Sequence, residues 1–253
     1  MPEPLLSIVI PAYNEAQRLG RCLEKVRHYL ETKSFASEVI VVDDGSDDAQ
    51  EAVLDEARRP FPSLRVLRNE RNRGKGYSVR RGVLEARGEF VLFTDADLSA
   101  PIEEADKLLA EVKLNQADAA IGSRALQRQL IGIHQPVMRE YGGRFFNLIV
   151  RLATGLKIHD TQCGLKMFRR ATTRRAFELQ RVEGFGFDPE LLFLIERLGG
   201  KIVEVPVRWD NDPATKVHVV RDAARACLDL VALRWRAATG KYPSLRKTET
   251  IEK

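Results

Sequence analysis

The 253-residue chain lacks long apolar runs: no uncharged stretch approaches the roughly 20 residues that a membrane-crossing helix needs. A cytoplasmic protein, soluble or peripheral on the cytoplasmic membrane face, is therefore expected. Cysteine is scarce. Cys22, Cys163 and Cys227 are odd in number, far apart and never arranged as Cys-x-x-Cys, which excludes a disulfide ladder and suits a reducing compartment. The four histidines, His28, His134, His159 and His218, show no metal-ligand spacing and are expected on surfaces or loops. Internal repeats, low-complexity tracts and flexible linkers are missing as well. The opening, MPEPLLSIVIPAYNE, has no basic leader or cleavage site, and its apolar run is broken by Pro11 and Asn14. It predicts a first strand, not a signal peptide.

What is present is ordinary for a globular protein: 44% hydrophobic and 30% charged residues, in a chain long enough for a sizeable core. The net charge of +5 fits an anionic partner or simply a solvated basic surface. No nucleic-acid-binding module accompanies it, so nucleic acid is not an expected partner. In the first half, strand-like runs at 5–10, 38–44, 63–69, 89–95 and 118–124 alternate with helical patterns at 14–30, 47–58, 76–87 and 101–113. Asn14 is placed to cap the first helix. Such alternation predicts an α/β fold whose mainly parallel sheet carries helices on both faces, with ligands at the carboxyl ends of the strands. The second half is less regular. It reads as a loop over 125–137, a helix over 138–155, a strand over 160–168, a helix over 189–199, a strand over 201–209 and a basic amphipathic segment over 217–239.

Polar motifs fall at four strand ends: PAYNE, DDGS, DAD and GSR. In FVLFTDADLSA (90–100), Asp95 and Asp97 stand two residues apart, and strand alternation would put both carboxylates on one face. Hard oxygen ligands suit Mg²⁺ or Mn²⁺ bridging to a phosphate, whereas a helix cap by Asp97 or Ser99 is the plainer reading. An acid of VVDDGSDD would accept hydrogen bonds from a base or a ribose, or would only shape a turn. RNRGKGYS lacks the P-loop spacing, but Gly74 and Gly76 around Lys75 would set amides and a cation against a diphosphate, or merely start a helix.

Taken in order, SIVIPAYNE, VVDDGS, NRGKGYSVRRG, FTDADLSAP, IGSR, DTQCGLKMF, GFGFDPELL and EVPVRW resemble the family-2 inverting glycosyltransferases of GT-A fold. The resemblance covers roughly residues 5–240 and is strongest to dolichyl-phosphate and other polyprenyl-phosphate β-glucosyltransferases. It implies that Pro11, Ala12, Tyr13 and Glu15 line the base and ribose, that Asp44 or Asp43 contacts the base, and that Lys75 lies near the nucleotide. It further implies that Asp97 is the main ligand of Mg²⁺ or Mn²⁺, with Asp95 on the nucleoside side and at most a secondary metal ligand. Arg124 and Arg139 match the acceptor-side arginines, with Arg144 and Lys166 as second choices. Asp188 and Asp160 are expected near the sugar, as base, as positioning group or, for Asp188, as a cap on the helix that Pro189 opens. VALRW has Val231 where processive synthases of the wider family carry glutamine, which argues against processive synthesis.

A polyprenyl phosphate is already largely ionised at neutral pH, so it needs orientation by arginine more than a general base. The expectation is one GT-A domain over 1–242, with a nucleotide-sugar half (1–124), an acceptor half (125–242) ending in an amphipathic helix able to meet a membrane surface, and a polar tail (243–253). It would move glucose from UDP-glucose to a polyprenyl phosphate. The competing expectations are a GDP-mannose-dependent prenyl-phosphate mannosyltransferase, transfer to a soluble hydroxyl, and a non-catalytic nucleotide-sugar-binding module.

Overall fold

The computed structural model describes residues 3–133, 137–212 and 219–242, with the side chains of 137, 139 and 219–223 excepted. His134, His218, the Arg139 side chain and the 243–253 tail therefore lie outside the described residues. The chain runs β1 (Leu6–Ala12), α1 (Ala16–Glu31), β2 (Ser37–Asp43), α2 (Gln50–Arg58), β3 (Leu64–Arg68), α3 (Lys75–Glu85), β4 (Phe90–Thr94), α4 (Ala105–Lys113) and β5 (Ala119–Ser123). The second half adds β6 (Ile131–Ile133), α5 (Val137–Thr154), β7 (Leu165–Arg169), α6 (Arg170–Leu179), α7 (Phe187–Arg197), β8 (Ile202–Pro206), β9 (Trp209–Asp210) and α8 (Val219–Ala238).

Seven strands form one sheet in the order β3-β2-β1-β4-β7-β5-β8. All neighbours are parallel except β7, which is antiparallel to both β4 and β5. Strand alternation divides the core. Ile8, Ile10, Val39, Val41 and Leu92 pack with Leu19, Leu23 and Val26 of α1 and Leu108 of α4, while Val9, Ile40, Val42, Val91 and Phe93 pack with Val79 and Val83 of α3 and Leu191 of α7. The central strands β1, β2 and β4 are largely apolar because helices cover both faces of the sheet.

Several local expectations change. Asn14 does not cap α1: its backbone is left-handed (φ 55°), and its side chain accepts the Asp47 amide at 3.0 Å. The 125–137 loop contains β6, which pairs with β9 in a separate two-stranded sheet. Of the strand expected over 160–168, only the part from Leu165 forms, and Asp160–Gly164 stay out of the sheet. Helix α6 had not been anticipated, although Thr173, Ala176 and Phe177 are buried at helical spacing.

Candidate active site

Asp95 and Asp97 converge by a turn, not by strand alternation. Strand β4 ends at Thr94, and Leu98, with φ 47°, returns its amide to the Asp95 carbonyl at 3.1 Å. Asp97 Oδ1 accepts the Ser99 amide at 2.9 Å. Neither Asp97 nor Ser99 caps a helix, since the following 3₁₀ turn begins after Pro101 without a side-chain cap. The Asp95 carboxylate lies 2.7 Å from the Lys75 ammonium. Behind it is Gly164, where a Cβ atom would fall 2.1 Å from Asp95 Oδ2. A larger residue there would displace the Asp95 carboxylate, which gives the glycine of DTQCGLK a physical reason.

The start of α3 is organised by Asp44. Its Oδ1 accepts Arg73 N at 3.0 Å and Asn69 Nδ2 at 2.6 Å, and its Oδ2 accepts Gly74 N at 2.7 Å. Tyr77 N donates to the Glu183 carbonyl at 3.0 Å. Of the amides expected to cradle a diphosphate, that of Gly74 is thus already bonded. Gly74 has φ 105° and would drive a Cβ to 2.5 Å from the Glu183 carbonyl oxygen, so no other residue fits. Asp43, also buried, accepts Ser46 N and Gln50 Nε2 at 3.0 and 2.8 Å. Pro11 and Ala12 are buried at the end of β1, Tyr13 is 39% exposed, and Glu15 pairs with Arg18.

On the other side, Arg124 follows β5. Its Nε and Nη2 reach the two Asp160 oxygens at 2.6 and 2.7 Å, a bidentate fork that leaves Nη1 outside the pair. Glu204 of β8 holds this pair in place by accepting Asp160 N at 3.0 Å, His159 N at 2.8 Å and Ser123 Oγ at 2.9 Å. Asn147 of α5 donates to the carbonyls of Ile158 and His159 at 3.1 and 2.7 Å and accepts from Thr161 N and Oγ1 at 3.2 and 2.9 Å. Sequence reasoning missed both residues. Asn147 belongs to no recognisable motif, Glu204 opens EVPVRW without a role that the motif itself suggests, and each acts on backbone distant in the chain.

A cavity of about 570 Å³ joins these parts and is lined by Lys75, Asp95, Asp97, Arg124, Asp160 and Asp188 among others. Asp97 also borders a second cavity of about 450 Å³, which Glu15, Arg18, Arg21 and Lys25 line. Arg128, which sequence reasoning passed over, and Arg144 line the large cavity too, and both pair with Glu140. Pro11, Ala12, Tyr13, Asp43 and Asp44 line neither cavity.

Lys166 requires a correction. The antiparallel β7 sets it opposite Phe93 with no exposure to water, its ammonium 2.7 Å from Asp188 Oδ1 and 2.5 Å from the Cys163 carbonyl. Lys166 does not line the cavity, and its charge is spent on Asp188, so it is a buried counterion and not a phosphate grip. Asp188 itself is the second residue of α7 behind Gly186, inside the helix and not its cap.

Burial and the neighbouring Asp95 charge push the Asp97 carboxyl up. Burial also raises Asp188, against the pull of Lys166 and Lys75. Burial works against the Lys75 ammonium, but Asp95 and Asp188 outweigh it and raise its pKa. For Asp160, burial is outweighed by Arg124, which holds the carboxyl below the usual range and so ionised. An acid so committed is unsuited to be a base. Burial pushes the Cys163 thiol up to about 11, which keeps it protonated and excludes it as a nucleophile.

Among the described residues, no group of three or more His, Cys, Asp or Glu side chains is arranged to hold a metal by protein ligands alone. No helix among them is long and apolar enough to cross a membrane. The profile described as "Glycosyl transferase family 2" matches residues 7–177. The chain is 41% identical over 265 residues to the dolichyl-phosphate β-glucosyltransferase of Drosophila melanogaster, covering 98% of this chain and 80% of that one. It is 35% identical over 254 residues to the enzyme of that name from Mus musculus, covering 95% and 78%. A solved structure of glucosyl-3-phosphoglycerate synthase from Mycobacterium tuberculosis, in complex with Mn²⁺, UDP-glucose and phosphoglyceric acid, superposes with a TM-score of 0.64 at 18% identity, covering 92% of this chain and 80% of that one. At that identity the likeness shows a shared fold.

Proposed function

The chain belongs to glycosyl transferase family 2, and we propose that it transfers glucose from UDP-glucose to dolichyl phosphate or a similar polyprenyl phosphate, inverting the anomeric carbon. The observation that carries this reading is the likeness to dolichyl-phosphate β-glucosyltransferases along nearly the whole chain, 41% identical over 98% of it in one case. The GT-A architecture places the acids of the Asp95–Asp97 turn and the Arg124–Asp160 pair on one cavity, which supports it.

The donor lies toward the carboxyl ends of β1, β2 and β4. Tyr13 and Glu15 face the nucleoside, while the buried Pro11, Ala12, Asp43 and Asp44 shape its floor. Asp44 acts mainly by fixing the loop before Lys75, since both of its oxygens are engaged there. Lys75 stands beside the nucleotide, paired with Asp95 on the nucleoside side. The residues fit a divalent cation: Asp97 is a hard oxygen donor in a crowded acidic turn, raised by burial and by Asp95, so an added positive charge would be stabilised there. Mg²⁺ or Mn²⁺ bound by Asp97, with Asp95 second, would offset the charge on the departing diphosphate.

The acceptor phosphate needs no base. One of its oxygens forms the bond to the anomeric carbon as the bond from that carbon to the diphosphate breaks on the opposite face. Arg124, held rigid by Asp160, orients that phosphate, with Arg139, Arg144 and Arg128 as further cations on its side. Asp188 and its partner Lys166 position the sugar. The peripheral placement expected of the chain follows from an acceptor that resides in lipid.

Initial rates with a panel of UDP-sugars and GDP-mannose, using a short polyprenyl phosphate, test the donor and the metal together. UDP-glucose should give the highest kcat/KM, and EDTA should abolish turnover until Mn²⁺ or Mg²⁺ is restored. Turnover with GDP-mannose alone would overturn the donor assignment, and full activity in EDTA would remove the metal from it.

A further inference from the structure

Helices α5 and α8 pack against each other beside the large cavity, and each leaves an apolar stripe uncovered. On α5, Met138, Tyr141, Phe145, Leu148 and Leu152 recur every three or four residues, the spacing that aligns side chains on one face. Met138 is 86% exposed and Leu152 80%. On α8, Leu228, Val231 and Trp235 repeat the pattern at 69%, 68% and 56% exposure. Single exposed apolar residues are normal on a protein surface, but stripes on two adjoining helices mark a surface that meets something.

Charge selects the occupant. Among the described side chains of 138–157 and 224–242, every exposed charged residue is basic: Arg144, Lys157, Arg225, Arg234 and Lys241. The acids of these segments, Glu140 and Asp229, are only partly exposed; Glu140 pairs with Arg128 and Arg144, and Asp229 packs on Gly186. Apolar stripes whose exposed charged neighbours, among the described side chains, are cations match an anionic bilayer, with the stripes at the acyl boundary and the cations among the headgroups. A second copy of the chain on the same face would bring these cations against one another. The cavity also opens here, because Met138, Gly142, Gly143 and Phe146 of α5 and Ala226 of α8 line it.

We infer that the α5–α8 face docks on an anionic lipid surface and sets the cavity mouth at headgroup depth. An acceptor phosphate then enters from the membrane plane while its hydrocarbon chain stays in lipid. That last step rests on the polyprenyl-phosphate reading, whereas the docking does not.

Sedimentation of the full chain with vesicles of phosphatidylcholine and phosphatidylserine in equal parts tests the docking. The protein should pellet with these vesicles, less with pure phosphatidylcholine, and less again as salt rises. Phe145→Asp combined with Leu152→Asp should lower partitioning about tenfold or more. Leu114→Asp, which alters a leucine 72% exposed at the end of α4, should leave it unchanged. Phe145 and Leu152 do not line the cavity, so turnover of the double variant on a short, water-soluble polyprenyl phosphate should stay within about twofold of wild type. Equal pelleting of wild type and double variant overturns the docking, as does a dimer in light scattering that the double variant dissociates. Vesicle binding without any transfer to the short polyprenyl phosphate overturns the acceptor assignment instead and leaves the docking intact.

Discussion

Lys166 and Asp188 meet 2.7 Å apart, with side-chain exposures of 0% and 6%, beside a cavity that Lys75, Asp95, Asp97, Arg124 and Asp160 also line. A buried pair of this kind gains little net stability over an apolar replacement, but breaking it strands a charge. Lys166→Met should therefore cost about 3–5 kcal/mol in urea unfolding, while Lys166→Met with Asp188→Leu should recover most of that loss. If the pair positions the sugar, the double variant will be well folded and still turn over far more slowly than wild type. A stable double variant with wild-type kcat would remove the pair from the site. The sequence shows Lys166 and Asp188 only as members of two separate motifs, 22 positions apart. Their union is invisible there because it needs β7 to run against its neighbours. The acid turn was more legible: Asp95 and Asp97 followed an apolar strand, and only the route of their convergence differed.

At the scale of elements, the parallel first half was readable because each strand is a short apolar run closed by turn residues and followed by a helical period. In the second half the periods of α5, α7 and β8 were readable too, but the sheet order was not, since β7 and β8 join the sheet out of chain order and their pairing is set by distant strands. The 158–161 segment shows the consequence. It carries Asp160, yet it is held by Asn147 of α5 and Glu204 of β8, through hydrogen bonds that no local spacing signals. Asn147→Ala should cost about 2 kcal/mol in stability, since it leaves several backbone groups unpaired. It should also raise KM for the acceptor more than KM for the donor, because the segment it frees orients Arg124. Equal effects on both substrates would confine Asn147 to a structural role.

Across the whole molecule, the sheet sets two chemistries on one cavity: an acidic turn beside Lys75, and an arginine fork opposite it under a basic, apolar surface. The +5 charge of the chain fits any anionic partner or none, whereas the exposed charged side chains described on the α5–α8 face are all basic. The most direct measurement follows the label from UDP-[¹⁴C]glucose after incubation with a short polyprenyl phosphate and Mn²⁺. The account predicts that label enters the organic phase as a β-linked glucosyl phosphate, with wild type but not with Asp97→Ala, which should fold as wild type does by circular dichroism. Label that stays in the aqueous phase, or transfer that Asp97→Ala supports at the wild-type rate, would contradict it.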